Sequence, residues 1–167
     1  MSKASVRKTL SSILALAALA AGLFLFCVWY RSLNSYSCDE LVWLRGTCSS
    51  EEPVFVFGAT WCPDCIRELP NLEAIDRRLA AEPLPKNPRI VAIALEKPQA
   101  VLAWLQDHPS TNSFAVAACD AKFKARYFEP FAVTNIPHAF QVSARGGRVL
   151  WHGDPADLSS VLFPAKP

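Results

Sequence analysis

The sequence is short of almost everything a polyanion-binding protein needs. Lys and Arg number 17 against 15 Asp and Glu, a net of +2. Three of the basic residues, Lys3, Arg7 and Lys8, precede the first apolar run; from Arg31 onward 14 basic residues face 15 acidic ones. A nucleic-acid-binding domain concentrates positive charge on one face, so no nucleic-acid partner is expected. Charged residues make up only 19% of the chain and hydrophobic residues 51%, which excludes a disordered or low-complexity protein. There is no internal repeat. Six cysteines among 167 residues are too few for a disulfide scaffold and too many to ignore. The length fits one domain plus an appendage.

The appendage is N-terminal. Thr9 to Tyr30 carries no charge, and Ile13 to Tyr30 is apolar except for Gly22. About 20 helical residues span a hydrocarbon core of ~30 Å, so residues 10–30 are expected to form a transmembrane signal-anchor. Trp29 and Tyr30 stand where an aromatic belt lies, and Arg31 ends the run. A cleaved signal peptide, with Ala18-Leu19-Ala20 imitating its cleavage site, is the competing reading. Cys27 is one more apolar residue of the span. Lys3, Arg7 and Lys8 place residues 1–9 in the cytoplasm by the positive-inside rule. The rest then lies on the extracytoplasmic side, the periplasm of a diderm bacterium, where disulfides persist. Residues 31–52 read as a juxtamembrane segment with a short helix near Asp39–Leu44. Nine residues separate Cys38 from Cys48; a structural disulfide, a second redox pair and free thiols all fit that spacing.

From Pro53 onward strands and helices alternate. Pro53–Phe57, Arg89–Leu95 and Phe114–Cys119 are short β-rich apolar runs of the kind buried in parallel sheets. Residues 62–81 have apolar Ile66, Leu69, Leu72, Ile75 and Leu79 at helical spacing, with Pro70 expected to kink the helix. Helices follow at residues 98–106 and 121–128. Two strands flank Gly146-Gly147 as a hairpin, and residues 154–163 close the chain as a helix. The pattern predicts an α/β domain over residues 53–167 with a mixed sheet.

The chemistry resides in Trp61-Cys62-Pro63-Asp64-Cys65, which follows the first of these strands and opens a helix. Two intervening residues at a helix start let the sulfurs meet. Cys62, at the cap or first turn, faces unpaired N–H groups and the positive end of the helix dipole, which favour a thiolate. Pro63 suits the first helical position, where its missing N–H is not needed. Cys65 sits further in and is expected to be more buried. These positions assign Cys62 as the attacking thiol and Cys65 as the resolving one. Zinc needs four ligands, and Cys119, His138 and His152 supply no second pair to complement this one. No metal or organic cofactor is expected. A purely structural Cys62–Cys65 bridge is the remaining alternative.

Gly58-Ala59-Thr60-Trp61-Cys62-Pro63-Asp64-Cys65, with Glu68-Leu69-Pro70 and Ile136-Pro137, resembles the thioredoxin superfamily, in particular the TlpA/ResA-like membrane-anchored thiol–disulfide oxidoreductases. The likeness covers roughly residues 50–163. It implies a thioredoxin fold with Pro137 in cis facing the cysteines. Trp61, Ile136, Pro137 and His138 would contact the client, and the Ile136 backbone would pair with it. It implies disulfides of exported proteins as substrates, reduction as the direction, and apocytochrome thiols before haem attachment as one client class. Electrons would come from another thiol protein, plausibly membrane-embedded. A disulfide oxidase or isomerase and a non-catalytic binding module are the alternatives. Relatives carry Asp or Asn where this chain has Val56, which cannot move a proton. Glu68 shares a helix face with Cys65 and is the candidate proton acceptor in its place. His138, where Thr is common, is a candidate for contact with the Cys62 thiolate.

Overall fold

The computed structural model describes residues 18–26, 38–48, 50–82, 84–108, 113–143 and 148–164. Met1–Ser35 and Tyr36–Pro167 form separate compact units. Of the first, residues 18–26 are described, as helix α1. The rest of the expected anchor over residues 10–30, the segment 1–9 and the Gly146-Gly147 turn lie outside the described residues. Among those described, no helix is long and apolar enough to cross a membrane.

The second unit is one six-stranded sheet of order β1-β4-β3-β2-β5-β6, with β1 Val42–Arg45, β2 Val54–Gly58, β3 Ile90–Ala94, β4 Ala115–Ala118, β5 His138–Val142 and β6 Val149–Gly153. Strands β2, β3 and β4 run parallel; β1, β5 and β6 join antiparallel. The helices are α2 Pro63–Ala81, α3 Pro98–Asp107, α4 Ala121–Phe128 and α5 Leu158–Leu162. Helix α2 continues through Pro70 to Ala81.

Strand β2 is buried on both faces because side chains alternate sides along a strand. Val54 and Val56 pack with Leu72, Ile75 and Leu79 of α2, Val101 of α3 and Leu158 of α5. Phe55 and Phe57 point the other way, into Phe123, Tyr127 and Phe128 of α4 and Phe140 of β5. The Phe57 ring lies 5.1 Å from Phe128 and 5.6 Å from Phe140, both edge-on, the arrangement aromatic quadrupoles favour. Each such side chain contributes roughly 1.5–3 kcal/mol by leaving water, so this layer fixes α4 against the sheet.

One expectation fails. The helix expected near Asp39–Leu44 is a single 3₁₀ turn, Cys38–Glu40, followed by strand β1. Val42 and Trp43 pair with Ala118 and Ala117 of β4. Four residues are too few for periodicity to separate strand from helix, and the exposed edge of β4 decided the outcome. The fold therefore takes in residues assigned from sequence to the juxtamembrane segment. Cys38 and Cys48 are joined as a disulfide spanning β1, with Cα atoms 6.2 Å apart.

Buried Asp76 ties α2 to the start of β3. It accepts bonds from Arg89 Nη2 at 2.7 Å, Arg89 Nε at 3.1 Å and the Ile90 N–H at 3.4 Å. The Asp76 side chain is 2% exposed and that of Arg89 30%. Removing one partner leaves the other charge with no match in a poorly hydrated site. Asp76→Ala should therefore lower stability by about 2–4 kcal/mol, measured by urea unfolding. A loss below about 1 kcal/mol, the level of surface pairs, would show that water replaces the carboxylate freely.

Candidate active site: the Cys62–Cys65 pair

Strand β2 ends at Gly58, and four residues turn the chain into α2. Three hydrogen bonds hold that turn. The Leu95 N–H donates to the Gly58 carbonyl at 3.0 Å, and the Cys62 N–H to the Ala59 carbonyl at 3.1 Å. The Thr60 N–H donates to Glu96 Oε1 at 2.5 Å. Cys62 is the N-cap of α2, in an extended conformation, and Pro63 takes the first helical position. The Cys65 N–H points at the Cys62 sulfur, 3.2 Å away. One of the helix's otherwise unpaired donors therefore falls on that sulfur. The two cysteines form a disulfide, with Cα atoms 5.3 Å apart.

Their burial differs from the sequence expectation. Cys62 is 6% exposed and Cys65 8%, so exposure does not separate the two thiols. Ile136 is the cause. It comes from a distant loop and packs on Ala59, Cys62 and Cys65, and its carbonyl oxygen lies 3.9 Å from the Cys62 sulfur. What distinguishes Cys62 is its place at the helix end. Asp64, between the cysteines, is paired with Arg67 on the exposed side of α2, so its charge is partly balanced there.

The Ile136–Pro137 peptide is cis. Ile136 and Trp61, which is 70% exposed, line an open groove of about 520 Å³ together with Leu95, Lys124 and Phe128. On the other side of the pair, Cys65 borders an apolar cavity of about 80 Å³ lined also by Val56, Gly58, Leu69, Trp104 and Pro137. Gly58 leaves that space open: a Cβ there would stand 3.4 Å from both Cβ and Sγ of Cys65. Glu68 lines the same cavity, half-buried, and accepts a hydrogen bond from Asn71 Nδ2. A carboxylate thus shares an apolar compartment with Cys65.

His138 opens β5, opposite Phe57. Its ring bonds to another imidazole: Nε2 lies 3.2 Å from Nδ1 of His152. Burial lowers the His138 pKa, and His152 lowers it further, against an opposing pull from Asp154. The ring is therefore held toward its neutral form, whereas stabilising a thiolate requires the cation. Cys119, just past β4, is held as a thiol by burial and by Asp120, which push its pKa up to about 11; a nucleophile needs the opposite.

Sequence reasoning missed Glu96. A lone carboxylate before a helix carries no motif. The available signal was its place at the end of β3, the strand beside β2, level with the cysteines.

No family model and no curated protein matches the chain. Solved structures do. The exposed lipoprotein thioredoxin of Streptococcus pneumoniae superposes with a TM-score of 0.57 at 13% identity, over 75% of this chain and 98% of that one. A thioredoxin-like protein of Porphyromonas gingivalis gives 0.54 at 16% identity, over 77% and 90%. A thiol:disulfide interchange protein of the thioredoxin family from Chlorobium tepidum gives 0.52 at 21% identity, over 67% and 77%. The fold of this chain is the thioredoxin fold.

Glu96 has a checkable role. Its carboxylate holds the Thr60 N–H, two residues before Cys62, so it positions the sulfur without touching it. Glu96→Ala should slow the attack of reduced Cys62 on an aromatic disulfide probe by roughly 3- to 30-fold, since small misplacements of a reacting group are costly. Glu96→Gln, which keeps an acceptor, should stay within about twofold of the parent. Stopped-flow measurement of the three proteins decides it. Equal rates would mean that the turn holds without this bond.

Proposed function

We propose that this protein is a thiol–disulfide oxidoreductase that reduces disulfides of exported proteins through the Cys62–Cys65 couple. The observation that supports it most is the cap geometry. The sulfur of Cys62 receives the Cys65 N–H at a helix N-terminus, where a thiolate is stabilised, and a groove opens beside it between Trp61 and Ile136. In the reduced protein the Cys62 thiolate attacks one sulfur of a client disulfide. That S–S bond breaks, one client sulfur leaves as thiolate, and a mixed disulfide forms. Cys65 then gives its proton to Glu68 and attacks the Cys62 sulfur. The second client thiol departs and the Cys62–Cys65 disulfide remains. Two electrons have passed to the client, and a membrane-embedded thiol donor restores them. Ile136 borders the groove, Pro137 follows it and lines the cavity beside Cys65, and the two serve as the client's backbone contact. Apocytochrome c thiols are one client class that the resemblance supports.

The same reading places the domain outside the cytoplasm on a single-pass anchor over residues 10–30. The charge-free run and the basic residues before it support this.

Three experiments test these proposals. Cys65→Ala should accumulate a mixed disulfide with a client protein and Cys62→Ala should not, while Glu68→Gln should slow resolution of a preformed mixed disulfide about tenfold at pH 7. That last effect should fade as pH approaches the Cys65 pKa. Trapping by Cys62→Ala instead would reverse the thiol roles, and superimposable pH–rate profiles would remove Glu68 from the mechanism. For topology, a reporter that works only outside the cytoplasm, fused after Pro167, should be active. Activity of a cytoplasm-only reporter at the same point would overturn the orientation.

A further inference from the structure

Strands β5 and β6 form an antiparallel pair in which Phe140 stands opposite His152. His138, two residues before Phe140, lies on the same face because side chains alternate. The register thus brings two imidazoles together. Their ring centroids are 5.5 Å apart with planes inclined by 31°, and Nε2 of His138 faces Nδ1 of His152 at 3.2 Å. Aromatic rings support both from beneath. The Phe131 ring is 4.5 Å from His152 and the Phe140 ring 5.0 Å from His138. Outward, His152 is exposed and His138 half-buried.

We propose that His138 and His152 form a two-histidine binding site for a divalent cation of the zinc type, separate from the dithiol chemistry. The spacing is the main ground. Two imidazole nitrogens bound at ~2.0–2.1 Å in a tetrahedral arrangement stand about 3.3 Å from each other, against 3.2 Å here. A linear two-coordinate ion needs close to 4 Å and does not fit. Without metal, one ring donates its N–H to the other's lone pair. For both nitrogens to ligate, that proton moves to the other nitrogen of its own ring, so two neutral imidazoles bind the ion with no net proton release. Packing against Phe131 and Phe140 fixes the ring planes in advance and lowers the ordering cost of binding.

The site is half-built. Among the described residues no group of three His, Cys, Asp or Glu side chains could hold a metal. Nearby Asp154 uses its carboxylate to cap the turn at Ala156. Two of four positions are therefore left to water or to a donor on a docked protein. Structural zinc sites close all four positions, so the bound ion is exchangeable.

The test uses the oxidised full chain, in which the four disulfide-bonded cysteines cannot ligate. Zn²⁺ alone is titrated against a chromophoric chelator, with melting temperature followed in parallel. One ion should bind per chain and raise the melting temperature. His138→Gln and His152→Gln should each weaken binding by more than the roughly 10-fold that loss of an outer-sphere partner already costs. His108→Gln, just past the end of α3, should change nothing. Circular dichroism confirms that each variant is folded. No binding by the parent below millimolar Zn²⁺, or equal affinity in all four proteins, would overturn the proposal.

Discussion

Everything at the site depends on strand β2 lying between a parallel neighbour and an antiparallel one. Pairing with β3 in parallel brings the end of that strand, with Leu95 and Glu96, level with Gly58. Pairing with β5 in antiparallel brings the start of β5, with His138 and the Ile136–Pro137 peptide before it, to the same sheet end. Helix α2 begins there because β2 stops there. Residues distant in sequence therefore meet around two sulfurs, and the aromatic layer of Phe55, Phe57, Phe140 and α4 holds the three strands in that register.

The parts of this arrangement that one segment determines were legible in the sequence. β2, β3 and α2 show their periods within their own residues, and Trp61-Cys62-Pro63-Asp64-Cys65 carries its chemistry in its spacing. What depends on two segments was not legible. Ile136, which packs on both Cys62 and Cys65, is reached by the chain only after α3 and α4. The bond from Thr60 to Glu96 exists because two strands end together. The contact between His138 and His152 needs the register of the hairpin, including its irregularity between Gln141 and Val142. Strand β1 was misread for a related reason: four residues have no period of their own, and the neighbouring edge of β4 decides their shape.

Sulfur chemistry is divided by environment. Cys119 also stands before a helix, one residue ahead of Asp120, the N-cap of α4, yet burial and that neighbouring carboxylate favour its neutral thiol. The N-terminus of α2 acts on the Cys62 sulfur in the opposite sense. The difference needs no new residue type, only the direction in which nearby dipoles and charges point.

The clip between Cys38 and Cys48 bears on how the chain acquires its bonds. Four cysteines lie between residues 38 and 65, and four can pair in three ways. The two bonds present have sequence separations of 10 and 3, the shortest combination available. Closing a longer loop costs more entropy, so the unfolded chain under oxidising conditions already favours this pairing. Cys48, the nearest wrong partner for Cys62 and Cys65, is consumed early, by Cys38. The Cys62–Cys65 pair is thereby kept apart from the Cys38–Cys48 pair by chain connectivity, before any sheet has formed.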